Sequence, residues 1–205
     1  MNPIRIEGSH MPSKCFSHMD GRTGRADGFG LIELIIVIAI IAILTAMATP
    51  SFSALIRENR VKTQANDFLS ASNYARNEAI TRSRGVTLCA ADTREGALPT
   101  ACGTSADWGK GWMVFVDDTV GSAATPVAID NADVLRTWEA NPKNTFVPGS
   151  AISFVRYNPR GLTNNITADV SFTLKPASNC SARQQRTIVI SPLGRSSSAI
   201  VETCS

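Results

Sequence analysis

Four cysteines beyond residue 85 are the residues whose chemistry is easiest to name. They are Cys89, Cys102, Cys180 and Cys204. An even number of cysteines in an exported domain indicates two disulfides. Three pairings are open in principle, and proximity along the chain favours Cys89–Cys102 and Cys180–Cys204. Zinc binding is the alternative, but the sequence has no C-x-x-C motif and no histidine near these cysteines.

Enzymatic chemistry has few candidate residues. Both histidines, His10 and His18, lie near the start of the chain. The remaining sequence contains no Ser/His/Asp set, no metal-ligand cluster and no phosphate-binding loop. The neighbouring carboxylates Asp117 and Asp118 are typical of a cation site or of a solvated turn, and we favour the turn. The sequence therefore predicts a non-enzymatic protein with no catalytic residue, cofactor or metal.

A long apolar segment precedes the cysteine-containing domain. Residues 29–49 number 21 and include the run LIIVIAIIAILTAM, which as a helix measures about 31 Å and matches a bilayer core of about 30 Å. A cleaved secretory signal and a buried core helix are the alternatives. Lys14, Arg22 and Arg25 precede this segment, against Asp20 and Asp27. This weakly basic flank favours a cytoplasmic N-terminus and export of the rest.

The segment after Pro50 has the spacing of an amphipathic helix. A stripe of small or apolar residues recurs at steps of three and four, namely Val61, Ala65, Phe68, Ser72, Ala75 and Ala79. The two helical segments are expected to be continuous, with a kink or a local loss of hydrogen bonds at Pro50. Gly85 is the predicted stop signal, after Arg82 and Arg84 at the negative end of the helix dipole.

Short β-type segments occupy the remainder of the chain. Seven runs rich in Val, Ile, Phe and Thr follow Val86, separated by clusters of Gly, Pro, Asn and Ser. The pattern predicts an α+β fold, in which a long N-terminal α-helix packs on an antiparallel β-sheet or small β-sandwich. The predicted boundaries are a segment 1–28, a transmembrane helix 29–50, an amphipathic helix 51–85 and a β-rich exported domain 86–205.

The junction at residues 27–34, Asp-Gly-Phe-Gly-Leu-Ile-Glu-Leu, resembles the type III signal of type IV pilins and type II secretion pseudopilins. This resemblance implies that 1–28 is a leader, that a prepilin peptidase cuts after Gly28, and that Phe29 is then N-methylated. A carboxylate within an apolar helix is costly and tends to have a partner. In the superfamily, the partner of the residue matching Glu33 is the free amino group of an adjacent subunit's first residue. Glu33 and Pro50 are therefore the predicted assembly residues.

The exported domain resembles the GspH/FimT branch of this superfamily. The resemblance covers the end of the helix, the first strand, a Trp-x-x-Gly-Trp signature and the C-terminal elements. The matching segments are 75–82, 86–89, Trp108 with 111–117, 154–161 and 191–195. Trp112 and Phe115 are expected to be core aromatic residues, and Trp108 is expected to close a loop.

This resemblance implies a minor pilin that assembles through its N-terminal helix into a type IV pilus and helps to prime or cap the filament. The alternative is the equivalent H-type minor pseudopilin of a type II secretion system. The implied partners are other pilins or pseudopilins, the prepilin peptidase and the bacterial inner membrane. The implied location is a single pass through that membrane, with the domain in the periplasm and then in the filament.

Binding of double-stranded DNA is a further hypothesis. Residues 151–205 carry six basic and two acidic side chains. Some FimT-like minor pilins bind DNA for uptake and carry a Gly-Arg-x-Arg motif. In this chain Gly194 and Arg195 match that motif, while Ser197 replaces its second arginine. Arg183, Arg186 and Arg195 are the predicted DNA contacts.

Overall fold

A computed structural model describes residues 30–92, 101–117, 126 and 133–204, except for the side chains of residues 46–51. The described part forms one long helix, α1, a short 3₁₀ helix, Asp107–Gly109, and eight strands. The helix spans Leu31–Arg82. The strands are β1 Val86–Ala90, β2 Gly111–Val116, β3 Val134–Glu139, β4 Asn144–Pro148, β5 Phe154–Tyr157, β6 Val170–Pro176, β7 Gln185–Ile190 and β8 Ser196–Val201. The chain divides into two units, Met1–Thr45 and Ala46–Ser205.

The described part of the first unit is the beginning of α1. Its apolar side chains are exposed, and Leu31 is the most exposed of them at 77%. The Thr45 hydroxyl donates to the carbonyl oxygen of Ile41 at 2.9 Å, so the helix itself satisfies this polar group. Among the described residues, no helix has both the length and the apolar character needed to cross a membrane. The predicted membrane segment, 29–49, extends at both ends beyond the described side chains.

In the second unit, α1 buries the stripe that its spacing predicts. Val61, Ala65, Phe68, Ser72, Ala75 and Ala79 are all at most 1% exposed. Alanine at three of these six positions leaves room for the strands to pack close to the helix. The helix ends at Arg82, and Ser83 takes the left-handed conformation with φ of 52°. Gly85 is therefore not the residue that ends the helix, since the non-glycine residue Ser83 takes the left-handed conformation instead.

Gly85 has a different role, because its backbone packs directly against the backbone of Asp117. A Cβ atom at this position would overlap the carbonyl oxygen of Asp117. The backbone N–H of Asp117 donates to the carbonyl of Gly85 at 2.9 Å. Gly85 is thus needed for close approach of the backbone.

Two antiparallel sheets, each of four strands, complete the described part of the second unit. Their strand orders are β3-β2-β1-β5 and β4-β6-β7-β8. The sequence predicts seven of the eight strands and misses β4, Asn144–Pro148. Asn and Pro are rare in central strands, but β4 lies at the edge of its sheet, where a terminal proline is tolerated. The predicted α+β fold with antiparallel sheets is confirmed.

The core is a cluster of aromatic rings centred on Phe68 of α1. Its ring centroid lies 5.6 Å from that of Trp108, 5.2 Å from Trp112, and 4.9 Å from both Phe146 and Phe172. Most of these pairs meet edge to face, the geometry that aromatic quadrupoles favour. Trp108 does more than close a loop, because its indole N–H donates to the carbonyl of Ile152 at 2.7 Å while its ring is fully buried.

A second, smaller cluster lies on the other face of the first sheet. Cys89, Met113 and Phe115 are buried there, with Val134 and Phe154 packed beside them. Phe115 is therefore a buried aromatic, as predicted, but it belongs to this cluster and not to the one around Phe68. Both faces of the first sheet bury side chains, which explains why β1 and β2 are buried along their whole length.

Candidate functional site

The predicted processing and assembly residues lie in and before the first turns of α1. Gly28 and Phe29 lie outside the described residues. Glu33 is exposed in the first turn of α1, where a negative charge interacts favourably with the helix dipole. Its backbone N–H donates to the carbonyl of Gly30 at 3.0 Å. Pro50 falls within the bounds of α1, and its side chain, like the predicted kink, lies outside what is described.

Two disulfides are present, Cys89–Cys102 and Cys180–Cys204, with Cα–Cα distances of 5.6 and 6.0 Å. The first joins β1 to the segment before the 3₁₀ helix, within the smaller apolar cluster. The second joins the residues that precede β7 and follow β8, so it closes the open end of the β7–β8 hairpin. These are the two pairings that proximity along the chain favours.

Removal of either disulfide should lower the free energy of unfolding by about 2–5 kcal/mol, because each crosslink restricts the unfolded chain. Chemical denaturation of the oxidised protein and of two double Cys→Ala variants would measure this loss. Trp108 and Trp112 are buried and report unfolding by fluorescence. A loss below about 1 kcal/mol in either variant would contradict the prediction for that disulfide.

Asp117 forms a buried ion pair that the sequence did not reveal. Its Oδ2 atom accepts hydrogen bonds from Nε and Nη2 of Arg156, at 2.8 and 2.7 Å, and from the hydroxyl of Thr87 at 2.7 Å. Asp117 and Arg156 are only 6% and 2% exposed. The interpretation of Asp117 as part of a solvated turn is therefore wrong, since its partner is 39 residues away in sequence. The described residues contain no cluster of three or more potential metal ligands.

Two further ionisable groups in the second unit, Tyr157 and Asp107, have shifted pKa values. Burial raises the pKa of Tyr157 to about 12, although its hydroxyl shares a 2.7 Å hydrogen bond with Ser72 of α1. A hydrogen bond from Lys110, together with bonds from Thr104, lowers the pKa of Asp107 to about 2. Tyr157 therefore remains a neutral link between β5 and the helix, and Asp107 remains a charged residue in the first turn of the 3₁₀ helix at neutral pH.

The structure does not bring the three predicted DNA contacts together. Arg183 precedes β7, whereas Arg195 lies in the turn after it, and the register pairs Gln185 with Val201 and Ile190 with Ser196. Five strand steps of about 3.4 Å therefore separate the two ends of the hairpin, roughly 17 Å. A shared DNA surface for Arg183 and Arg195 would require the two ends of this hairpin to lie close together, and they do not.

Arg186 is also unsuited to a shared surface with the other two arginines. It stands opposite Leu174 on one side and Ile200 on the other. Residues opposite each other across strands share a face of the sheet. Leu174 is fully buried on the face that meets the core, so Arg186 leaves its strand on that same face and is half-buried.

Arg195 instead lies near basic residues from two other elements. The turn that contains it touches the turn that contains Arg160, and the side chain of Arg76 of α1 lies against both turns. Arg160 and Arg195 are exposed. The sequence contains no signal for this grouping, because it depends on contact between two turns, and Arg160 and Arg195 are 35 residues apart.

The N-terminal helix with its early glutamate, packed through its second half on two antiparallel sheets, defines a pilin-like subunit. The family described as "Type II transport protein GspH" matches residues 64–194, and the "Prokaryotic N-terminal methylation motif" matches residues 24–49. The first match covers more than half of the chain. The protein belongs to the GspH family and carries the N-terminal methylation motif of pilin-like proteins.

One solved structure supports the fold. The crystal structure of the type IV minor pilin FimU of Pseudomonas aeruginosa PAO1 is similar, with a TM-score of 0.51 and 19% sequence identity over 72% of this chain and 96% of that one. A second crystal form of FimU gives a TM-score of 0.49 and 19% identity over 70% and 99%. No curated protein sequence matches the chain.

Proposed function

We propose that this chain is a minor pilin, which assembles through its N-terminal helix into a type IV pilus and helps to prime or cap the filament. The observation that carries the proposal is the combination, in one chain, of the methylation motif at residues 24–49 and the GspH domain at residues 64–194. The role is structural and needs no catalytic group. The proposed partners are other pilins or pseudopilins and the prepilin peptidase.

The proposed location follows from the same motif. The precursor is cut and methylated at the bacterial inner membrane, which residues 29–50 cross once, and the domain is in the periplasm before it enters the filament. The two disulfides support this location, because disulfides form and persist in an oxidising compartment.

The second candidate assembly is the pseudopilus of a type II secretion system, which the family description itself favours. Deletion of the encoding gene separates the two. Loss of surface pili with normal protein secretion supports the type IV pilus, and loss of secretion with normal pili supports the pseudopilus.

Glu33→Ala should reduce incorporation into filaments several-fold, while the precursor is still cut. The reason is that the variant loses the carboxylate that pairs with the amino group of a neighbouring subunit. The measurement is the amount of this protein in sheared filaments relative to the membrane pool. Thr45→Ala is the matched control, because the Thr45 hydroxyl bonds within its own helix at 2.9 Å. Equal incorporation of both variants would contradict the role of Glu33.

Binding of double-stranded DNA is the second function that we propose. The supporting observation is the exposure of Arg195 on the β7–β8 turn, where it forms no ion pair with any described carboxylate. Contacts to phosphate groups would dominate, so affinity should be independent of base sequence and should fall with salt.

A further inference from the structure

We propose that the free edge of β8, Ser196–Val201, binds an extended segment of a different filament subunit as an added β-strand. The inference rests on the filament assembly proposed above and deepens it, because it names a second contact surface and the kind of segment that binds there. This surface lies in the β-rich domain and is separate from Glu33.

The register of the β7–β8 hairpin shows which backbone groups of β8 face the free edge. Just before the first ladder pair, the N–H of Ser191 donates to the carbonyl oxygen of Arg195 at 2.9 Å. Hydrogen-bonded and non-bonded pairs alternate along an antiparallel ladder. Every second residue of β8 therefore bonds to β7, and the others direct their N–H and C=O groups away from it. These others are Ser196, Ser198 and Ile200. No backbone hydrogen bond joins them to another element in the described part of the chain.

The edge strand β5 of the first sheet is protected by the segment that follows it. The side-chain amide of Asn165 donates to the carbonyl oxygen of Phe154 at 2.7 Å and accepts from the N–H of Arg156 at 2.8 Å. The N–H of Asn164 donates to the carbonyl oxygen of Arg156 at 2.9 Å. The outer backbone groups of β5 are thus largely paired within the chain.

The edge strands β3 and β4 are protected in other ways. The strand β3 carries the charged residues Arg136 and Glu139, and its register against β2 is irregular. The strand β4 ends at Pro148, which has no N–H group. A Cβ atom on Gly109 would lie 3.8 Å from the carbonyl oxygen of Phe146, so the 3₁₀ helix packs against the outer side of β4. Charges, irregular register, proline and a covering element are the usual means of preventing the addition of a strand.

The edge strand β8 has none of these protections among the described residues. Its six residues include no charged residue and no proline, and its register against β7 is regular. Ser197 and Ala199 are exposed, and Ile200 is 41% exposed. The disulfide Cys180–Cys204 closes the hairpin beside the end of β8, so the edge is ordered before a partner binds. A regular, uncharged and exposed edge is a template for another strand.

The spacing of the free backbone groups selects the chemistry of the partner. On one edge of a strand, the N–H and C=O groups recur every second residue, or about every 6.8 Å. Another extended backbone presents acceptors and donors at the same spacing. The side chains of β8 are small or apolar and carry no charge, so the segment that fits beside them is an uncharged polypeptide strand.

The direction of β8 relative to α1 indicates that this strand comes from a different protein. The hydroxyl of Ser196, at the start of β8, donates to the side-chain oxygen of Asn73 at 3.4 Å. At the other end of the hairpin, the side chain of Gln184 donates to the carbonyl oxygen of Ala54 at 3.1 Å. The strand β8 therefore runs antiparallel to α1. Antiparallel pairing of β8 in two identical copies would place the N-terminal ends of their α1 helices at opposite sides of the pair. In the proposed topology, both copies enter one membrane through that end.

The first test is amide hydrogen exchange of the intact protein in neutral detergent. The backbone amides of Ser196, Ser198 and Ile200 should exchange several-fold faster than those of the β8 residues between them, which bond to β7. Slow exchange at all three amides would show that the edge is already covered and would overturn the proposal.

The second test compares two replacements at the centre of the edge. Ser198→Pro removes an N–H that faces away from β7 and obstructs an added strand, and proline is tolerated in a strand at such a position. The amount of this variant in sheared filaments, relative to the membrane pool, should fall several-fold. Ser198→Ala is the matched control, because it keeps the backbone, and it should be incorporated normally. Ala199→Lys places a charge on the exposed edge without changing the backbone, and it should also reduce incorporation.

The outcomes separate this surface from the assembly function. Absence of the wild-type protein from filaments would remove the proposed function and the surface with it. Normal incorporation of folded Ser198→Pro, or equal loss in Ser198→Ala, would overturn the surface and leave the function. A dimer of the wild-type protein in detergent that Ser198→Pro abolishes would assign the edge to a second copy, against the proposal. Tryptophan fluorescence verifies folding, and if Ser198→Pro does not fold, normal incorporation of Ala199→Lys is the result that overturns the surface.

Discussion

Gly28→Ala should leave the precursor uncut in cells that have a working prepilin peptidase. The methylation motif spans residues 24–49 and therefore contains this junction. A methyl group at position 28 would crowd the peptidase beside the bond to be broken, so we expect near-complete loss of processing. Mass spectrometry of membrane-extracted protein should find the intact leader in the variant and N-methylated Phe29 at the start of the wild-type protein.

Gly30→Ala is the matched control for this prediction. Gly30 lies two residues beyond the proposed cleavage point, and a Cβ there would contact only Ile32, at an ordinary distance of 3.8 Å. The control should be processed normally. An intact leader in the wild-type protein would contradict the proposed maturation, and equal processing of the two variants would show that Gly28 is not required.

Patterns of local periodicity explain what the sequence predicts well. The helix stripe around Phe68 follows from spacing alone, because residues three and four apart share one face of a helix. Seven of the eight strands follow from runs of β-branched and aromatic residues. The strand β4 is not predicted by this pattern, because it begins with Asn144 and ends with Pro148. These residue types are tolerated in a strand mainly at a sheet edge. Edge position is a property of the sheet and cannot be read from a single strand.

Contacts between distant segments explain what the sequence does not predict. Arg183, Arg186 and Arg195 are close in sequence, yet a hairpin places the first and last at opposite ends. Arg160 and Arg195 are far apart in sequence, yet two glycine-containing turns bring them together. The net charge of the C-terminal third is counted along the sequence. A binding surface depends instead on which charged side chains the folded chain places close together.

Asp117→Asn should lower the free energy of unfolding by about 3–5 kcal/mol, the usual cost of removing one partner of a buried ion pair. The substitution hardly changes side-chain volume, so the loss reports the removal of the Asp117 charge beside Arg156, which is 2% exposed. Asparagine can still accept the hydrogen bond that the Thr87 hydroxyl now donates to Asp117 at 2.7 Å. Chemical denaturation of the intact protein in neutral detergent, monitored by tryptophan fluorescence, would measure the change.

Two further variants separate the ion pair from a general effect of charge. Asp169→Asn removes an exposed carboxylate from the same unit and should change stability by less than about 0.5 kcal/mol. Adding Arg156→Met to Asp117→Asn removes the buried positive charge as well. Because a buried ion pair contributes little net stability, the double variant should recover much of the loss. If the double variant loses as much free energy of unfolding as the two single variants together, the buried charge is not the cause. Packing on the face of the first sheet that carries the smaller apolar cluster then becomes the explanation.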